Sequence, residues 1–373
     1  MQRALRLARR GRDRTSPNPT VGAVVVRSGH IVGEGYTQPP GGPHAEVVAL
    51  TRAGAKARGA DVYVTLEPCG HHGRTPPCSE ALVAAGVARV FYAACDPNPA
   101  TRGRGPRRLR SAGIEARLGL CRTEALELNA PYFHWRRNAR PWVLLKWAMT
   151  LDGKIATAGG ESKWITGASA RRYAHVLRRR VDAVVVGTGT VRHDNPELLP
   201  RPARGRLPFR IVLDRQARLP LDLTLLARPI AKGAGPTDGT VTPGVGQTIY
   251  VTTRACGVRR RSILEARGAA VVVVPAPRQR FAIMKLLERL SGLGISQLLL
   301  EGGGRLAAAF VEVGAVDEVA AFIAPRLLGG ADAKTPVDGR GTLALDATPW
   351  LVGARCRRLG EDFLVEGRVK SRA

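Results

Sequence analysis

His44-Ala45-Glu46, Glu67-Pro68-Cys69 and Cys78 bring an imidazole, two thiols and a carboxylate into one short stretch of a 373-residue chain. One His and two Cys make a three-ligand zinc site that leaves the fourth tetrahedral position to water. Glu46, two residues beyond His44, is placed to take a proton from that water and hand it to a leaving amine, the chemistry of a zinc deaminase. Both thiolates have local support. Cys69 follows the end of an apolar run, and Cys78 sits just before an expected helix start, where backbone N–H groups favour negative sulfur. Two arrangements compete with this one: an unrelated Cys pair, and a structural zinc whose fourth ligand is His71 or His72.

A second signal lies far along the chain. Glu301-Gly302-Gly303-Gly304-Arg305 falls between an apolar run and a helix expected to start near Leu306. Glycines let a backbone approach a ligand, and a helix N-terminus offers donors to a phosphate. The spacing is not G-x-G-x-x-G, so a Rossmann domain is not indicated.

Both clusters need elements to hold them. Residues 2–10 read as an amphipathic helix, and Val21–Val26 with Ile31–Tyr36 as a hairpin across Arg27-Ser28-Gly29-His30. Ala45–Ala53 and Ser79–Ala85 read as helices, Asp61–Leu66 and Val90–Ala94 as strands, and Arg102–Arg110 as a basic loop entering a short helix. That order suits a three-layer α/β domain over residues 1–140. A second domain is expected over residues 141–373. There Trp142–Ala148, Ala183–Val186, Phe209–Leu213, Thr248–Val251, Ala270–Val274, Leu298–Leu300 and Glu318–Ile323 are buried-strand runs. Ser169–Arg180 and further helical stretches between them predict a mostly parallel or mixed sheet with helices on its faces. Pro229 to Gly246, rich in Gly, Pro and Thr, predicts a surface loop.

Composition narrows the class. Fifty-eight Lys plus Arg against 30 Asp plus Glu give a formal net charge of +28, which invites a nucleic-acid reading. Only 8 of those cations are Lys, an Arg bias that GC-rich codon usage would produce. The excess is also spread out: residues 1–140 carry 22 basic and 10 acidic residues (+12), and residues 141–373 carry 36 and 20 (+16). No stretch approaches the roughly 20 apolar residues of a membrane helix, and the Arg-rich N-terminus lacks the apolar core of a secretory signal, so a cytoplasmic protein is expected. Cys95, Cys121, Cys256 and Cys356 read as ordinary buried thiols rather than a disulfide framework.

The motifs resemble a known family. His44-Ala45-Glu46 plus Pro68-Cys69 is the cytidine-deaminase-like signature, but the second cysteine comes late, at Cys78 rather than in P-C-x-x-C. That longer segment, Pro17-Asn18-Pro19-Thr20-Val21-Gly22 and Asp96-Pro97-Asn98-Pro99 look like the bifunctional riboflavin-biosynthesis deaminase/reductases. So do Leu151-Asp152-Gly153-Lys154-Ile155-Ala156, Gly160–Thr166, Asp194-Asn195-Pro196 and Glu301–Gly304, so the resemblance runs through almost the whole chain. Two departures stand out: Gly70 where members often have Ser, and Asn195 where many have a second Asp.

The resemblance implies an α/β protein with a cytidine-deaminase-like three-layer α/β/α domain followed by a dihydrofolate-reductase-like α/β domain. It implies one Zn2+ per chain and NADPH. Zinc hydroxide would deaminate a diaminopyrimidinone carrying a ribose phosphate, and NADPH would then reduce the ribosyl group to ribityl. Around the zinc, Asn18 is expected to read a ring amide edge, and His71, His72, Arg74 and Thr75 to meet the sugar and phosphate, with Asp96 and Asn98 at a strand's C-terminal end. The plainer alternative is that the two Pro-Asn-Pro stretches are only turns. In the second domain the cofactor would contact Ala148, Trp164, Thr190, Asp194 and the turn of Gly303, Gly304, Arg305, Leu306, Ala307, Ala308 and Ala309. The substrate would contact Ser162, Arg178, Leu198, Arg201 and Glu301, the two arginines as phosphate partners. A homo-oligomer, dimer or tetramer, is expected, with a small-molecule substrate, no membrane and no specific nucleic acid.

Two other readings compete. A tRNA-type base deaminase with an accessory domain draws on the charge but leaves the late second cysteine and the reductase motifs unused. A basic zinc-stabilised RNA-binding module has no use for Glu46, and 5% aromatic content supplies few base-stacking platforms.

Overall fold

The computed structural model describes residues 1–370 apart from Arg74, residues 204–205 and residues 228–245. The loop expected at Pro229 to Gly246 therefore lies, but for Gly246, outside the described residues, and Arg74 does too. Contacts divide the chain into two compact units, Met1–Ala139 and Arg140–Ala373.

The first unit runs α1 (Gln2–Arg9), β1 (Gly22–Arg27), β2 (His30–Tyr36), α2 (Ala45–Ala53), β3 (Asp61–Val64), α3 (Cys78–Ala84), β4 (Arg89–Tyr92), α4 (Arg104–Ser111), β5 (Glu115–Leu118), α5 (Arg122–Leu128) and α6 (Ala130–Asn138). Its sheet has the order β2-β1-β3-β4-β5. The β1–β2 hairpin and β1–β3 are antiparallel, whereas β3, β4 and β5 run parallel. Buried Ala23 and Val25 of β1, Val62 and Val64 of β3 and Val90 of β4 form the sheet side of one core, joined by Ala45 and Ala49 of α2 and Leu82 of α3. The alanine stripe lets α2 lie directly on the sheet: a Cβ on Gly35 would sit 2.3 Å from the Ala45 carbonyl oxygen. That contact fixes the start of α2, where His44 and Glu46 sit.

The second unit runs β6 (Trp142–Thr150), α7 (Ala168–Arg180), β7 (Ala183–Gly187), α8 (Thr188–Asp194), β8 (Phe209–Leu213), α9 (Thr224–Ala227), β9 (Thr248–Thr252), α10 (Val258–Ala266), β10 (Ala270–Val273), α11 (Ile283–Gly292), β11 (Gln297–Leu300), α12 (Gly304–Val311), β12 (Glu318–Ala324), β13 (Trp350–Leu359) and β14 (Asp362–Lys370). One nine-stranded sheet has the order β10-β9-β8-β7-β11-β6-β12-β14-β13. Strands from β10 to β12 are parallel, and the β13–β14 hairpin closes the edge antiparallel. Apolar clusters cover both faces, Val185 and Leu300 on one and Val184 and Leu299 on the other, as the near-continuous apolar runs require. The fold class is thus α/β in both units, with parallel strands carrying the two expected motif sets at their C-terminal ends.

Five elements were not singled out from the sequence: β5, α5, α6, β13 and β14. β5 is a four-residue edge strand in which only Ala116 is buried, and β13 exposes almost its whole length, so neither shows the apolar run that marks a strand. The four remaining cysteines are not all buried either. Cys256 is, Cys95 and Cys121 are half-buried, and Cys356 is exposed because it sits on the edge strand β13.

Candidate active sites

The first site is assembled from three element ends. His44 caps α2 in extended conformation, Cys69 lies beyond β3, and Cys78 is the first residue of α3, one position further into the helix than expected. His44 Nδ1 is 3.0 Å from Cys78 Sγ and 3.6 Å from Cys69 Sγ, and the three ligand atoms lie within 4.8 Å of one another. Zinc bonded at about 2.3 Å to sulfur and about 2.0–2.1 Å to nitrogen demands spacings of this size, so the donor set fits a tetrahedral zinc with one open position. The backbone N–H of Cys78 donates to Cys69 Sγ at 3.1 Å. Together with Cys78 and His44, this bond holds the Cys69 thiol well below its usual range, the anionic form a metal needs.

The other ring nitrogen settles the orientation of His44. Its Nε2 is 3.4 Å from Thr75 Oγ1, so the hydroxyl expected to meet substrate also braces the ligand imidazole. Glu46 is 4% exposed, on the first turn of α2. Burial pushes its carboxyl up to about 7 against the pull of His44, which suits a group that must both accept and return a proton.

Neither His71 nor His72 joins the cluster among the described residues. His71 Nδ1 pairs with Thr101 Oγ1 at 3.3 Å, and His72 is an exposed side chain 3.7 Å from Glu80. Asn18 is half-exposed. Asp96 Oδ1 accepts the Asn98 N–H and the Tyr132 hydroxyl, both at 2.9 Å, and Asn98 Oδ1 accepts the Ala100 N–H, so these side chains shape their own loop. Glu67, not singled out from sequence, is buried and accepts the N–H groups of Asp96 (3.1 Å) and Gly103 (2.5 Å). The only sequence signal for it was an acid in an otherwise apolar strand end.

The second site is a cavity of ≈ 1370 Å³ in the second unit. Of the expected cofactor residues, Ala148, Trp164, Thr190, Asp194, Gly303, Gly304, Arg305, Leu306, Ala308 and Ala309 line it. Ala307 does not; it is fully buried in the core beneath α12. Of the expected substrate residues, Ser162, Arg178, Leu198 and Glu301 line it, and Arg201 does not. Arg201 is exposed and lies 3.9 Å from Glu197. The glycine turn divides by packing. A Cβ on Gly302 or Gly304 would strike Leu306 or Asp338 at 2.7 and 2.5 Å, but one on Gly303 would meet nothing within 4 Å. The open backbone at Gly303, heading the helix α12, fits a cofactor phosphate.

Arg178 and Glu301 meet each other across the cavity floor, Nε to Oε1 and Nη2 to Oε2 at 2.7 Å, while Nη1 donates to the Leu199 carbonyl. The Arg178 guanidinium, which lines the cavity as expected, thus also holds Glu301. With Lys146 beside it, Arg178 keeps the buried Glu301 carboxyl down at about 2 against its desolvation. Lys146 was missed from sequence. It is a lone cation in the apolar run of β6, reaches the cavity floor, and its ammonium is pushed down by burial.

Comparison with known proteins places both halves. Residues 1–94 match the cytidine and deoxycytidylate deaminase zinc-binding region, and residues 141–365 match the RibD C-terminal domain. The riboflavin biosynthesis protein RibD of Actinobacillus pleuropneumoniae is 42% identical over 98% of this chain and 93% of its own length. That of Aquifex aeolicus is 41% identical over 98% and 96%. Among solved structures, Acinetobacter baumannii RibD superposes with a TM-score of 0.85 at 35% identity, covering 99% of this chain and 97% of that one. A Thermotoga maritima diaminohydroxyphosphoribosylaminopyrimidine deaminase/5-amino-6-(5-phosphoribosylamino)uracil reductase does so at 0.83 and 33%, covering 99% and 97%.

Proposed function

Because the chain belongs to the RibD family of bifunctional riboflavin-biosynthesis enzymes, we propose how its own residues divide the two reactions. The enzyme deaminates 2,5-diamino-6-(5-phosphoribosylamino)pyrimidin-4-one, then uses NADPH to reduce the ribosyl side chain of the resulting aminouracil to ribityl. In this reading residues 1–140 are the deaminase and residues 141–373 the reductase.

In the deaminase, zinc supplies the Lewis acidity that makes a water nucleophilic near neutral pH. His44, Cys69 and Cys78 hold it, and Thr75 orients His44. Glu46 takes the proton of the attacking water and gives it to the 2-amino group, which leaves as ammonia. Its burial, two residues from a ligand, is the observation that carries this assignment.

In the reductase, NADPH supplies the hydride. The carbon–oxygen bond of the ribosyl ring breaks at the carbon attached to nitrogen; that carbon gains the hydride and the ring oxygen a proton. Trp164, Thr190, Asp194 and the open backbone at Gly303 hold the cofactor against one wall of the cavity, and Ser162 and Leu198 border the substrate. Glu301, kept ionised by Arg178 and Lys146, places a fixed negative charge on the floor beside the reacting sugar.

The same proposal includes a homo-oligomer and a cytoplasmic location. Exposed Leu343, Leu345, Trp350 and Val352 lie on or near the edge strand β13, an apolar surface of the kind that pairs copies of one chain. NADPH and a phosphorylated pyrimidine are multiply charged and stay on the side of the membrane where they are made. The test of the main reading is an assay of the zinc-loaded protein with the diaminopyrimidinone phosphate, following ammonia and NADPH absorbance separately. Failure of both channels would overturn it.

A further inference from the structure

Leu151-Asp152-Gly153-Lys154-Ile155-Ala156 follows β6 and has no part in either reaction as assigned above. Ile155 and Ala156 line the reductase cavity, but Asp152 is exposed and does not. Its carboxylate is nevertheless fully engaged. Oδ1 accepts the Thr150 hydroxyl at 2.6 Å and the Leu328 N–H at 3.1 Å, and Oδ2 accepts the Gly329 N–H at 2.7 Å. Thr150 and the two amides hold the carboxyl down at about 2, so it stays an ionised acceptor around neutral pH.

Those amides belong to the segment that follows β12, residues 325–339, and this segment reaches both walls of the cofactor cavity. On one side it meets the loop after β6. Leu151 N–H donates to the Arg326 carbonyl at 2.9 Å and Ile155 N–H to the Lys334 carbonyl at 2.8 Å, while Ala156 and Lys334 form a β-bridge. Arg326 Nη1 donates to the Trp164 carbonyl at 3.2 Å. On the other side it lies along the start of α12. Asp338 N–H donates to the Gly304 carbonyl at 3.1 Å, and a Cβ on Gly304 would sit 2.5 Å from the Thr335 carbonyl oxygen. A Cβ on Gly339 would sit 3.1 Å from Ala308 Cβ. Lys334, Asp338 and Gly339 are themselves part of the cavity lining.

Trp164 depends on such a tie. Its side chain is 63% exposed, with the Arg171 guanidinium 4.6 Å from the ring centre over one face. With so little of the ring buried, packing alone does not fix it. The bond from Arg326 ties its backbone to the segment that Asp152 fastens.

We propose that Asp152 is a positioning residue for the cofactor: by fastening residues 328–329 it holds Arg326, and through Arg326 it sets Trp164 relative to the glycine turn. The inference rests on the reductase reading above, which gives Trp164 and Gly303 to NADPH. It makes the motif after β6 a tie between two cavity walls and not a ligand contact.

The test uses the full zinc-loaded chain. Asp152→Asn keeps the side chain's shape and leaves one acceptor oxygen where two served; Asp332→Asn, an exposed carboxyl on the same segment, is the control for lost charge. By direct titration, the NADPH dissociation constant should rise by about 10-fold in Asp152→Asn and in Arg326→Met, and stay at the parent value in the control. In reduction, the Michaelis constant for NADPH should rise alike, with kcat and the constant for pre-deaminated substrate little changed. In a Trp164→Ala background, Asp152→Asn should add almost nothing, because both changes act through one contact. Amide hydrogen exchange should quicken in residues 151–164 and 326–330 but not in α12, and deamination should be unchanged. An unaltered NADPH constant in Asp152→Asn would overturn the inference. So would a rise equally large in the Trp164→Ala background, or one that comes with faster exchange across the whole second unit. Failure of the unmodified enzyme to bind NADPH would instead sink the reductase reading, and exchange in residues 151–164 would still decide whether Asp152 holds that loop.

Discussion

Arg178 and Glu301 form a bidentate ion pair with both nitrogen–oxygen distances at 2.7 Å, one partner from the last turn of α7 and the other from the end of β11. Both residues were expected to touch substrate; the pair shows that they first serve each other. Its charges are 18% and 8% exposed, so each depends on the other for its solvation.

Removing one partner should therefore cost stability as well as activity. Arg178→Ala leaves the Glu301 carboxylate with Lys146 alone, and breaking a buried pair costs roughly 3–5 kcal/mol. Urea unfolding of the second unit should move to lower concentration by that amount. A double change, Arg178→Met with Glu301→Leu, should recover most of it without recovering reduction. An Arg178→Ala variant as stable as the parent would rule out this account.

The same pair sets an acid limit. Arg178 and Lys146 hold the Glu301 carboxyl near 2, below the ordinary carboxylate value of about 4.3. For a group lowered on folding, the stabilisation is fully present above the unfolded value and is lost as pH falls through the folded one. Stability should thus decline between about pH 4.5 and pH 2, and Glu301→Gln should flatten that part of the profile.

Glu46→Gln should separate metal binding from proton transfer. Zinc content should stay at one per chain, ammonia release should fall by about 10²–10⁴-fold, and NADPH oxidation on pre-deaminated substrate should persist. Deamination at the parent rate would refute the role given to Glu46.

Thr75→Val removes the hydroxyl from His44 Nε2 but no ligand. Loss of such a partner typically weakens metal binding by about 10–100-fold, which competition with a zinc chelator would measure. Stripping the zinc altogether should stop ammonia release and spare reduction.

The two glycines ahead of α12 should answer differently to alanine. A Cβ on Gly303 meets nothing within 4 Å, so Gly303→Ala should fold normally and weaken NADPH binding, read by direct titration. A Cβ on Gly304 would strike Asp338 at 2.5 Å, so Gly304→Ala should lower stability by about 1–3 kcal/mol.

Much of this protein is local, and local features are legible in sequence. Apolar runs such as Ala183–Val186 and Phe209–Leu213 were legible as buried strands because they are short and continuously apolar, and every residue in them is buried. His44, Glu46, Cys69 and Cys78 could be read together because zinc accepts few ligand types and a proton shuttle must sit beside it. Of the elements that escaped, β5 and β13 turn most of their side chains to solvent, where burial leaves no pattern. What tertiary structure alone decided is which polar groups meet. Thr75 turned out to hold His44, Asp96 to hold Tyr132, and Arg178 to hold Glu301 from 123 residues away. Residue type predicts that such a group needs a partner. Only the packing of distant segments determines whether that partner is protein or ligand, because a buried charge binds whatever opposite charge the fold brings within reach.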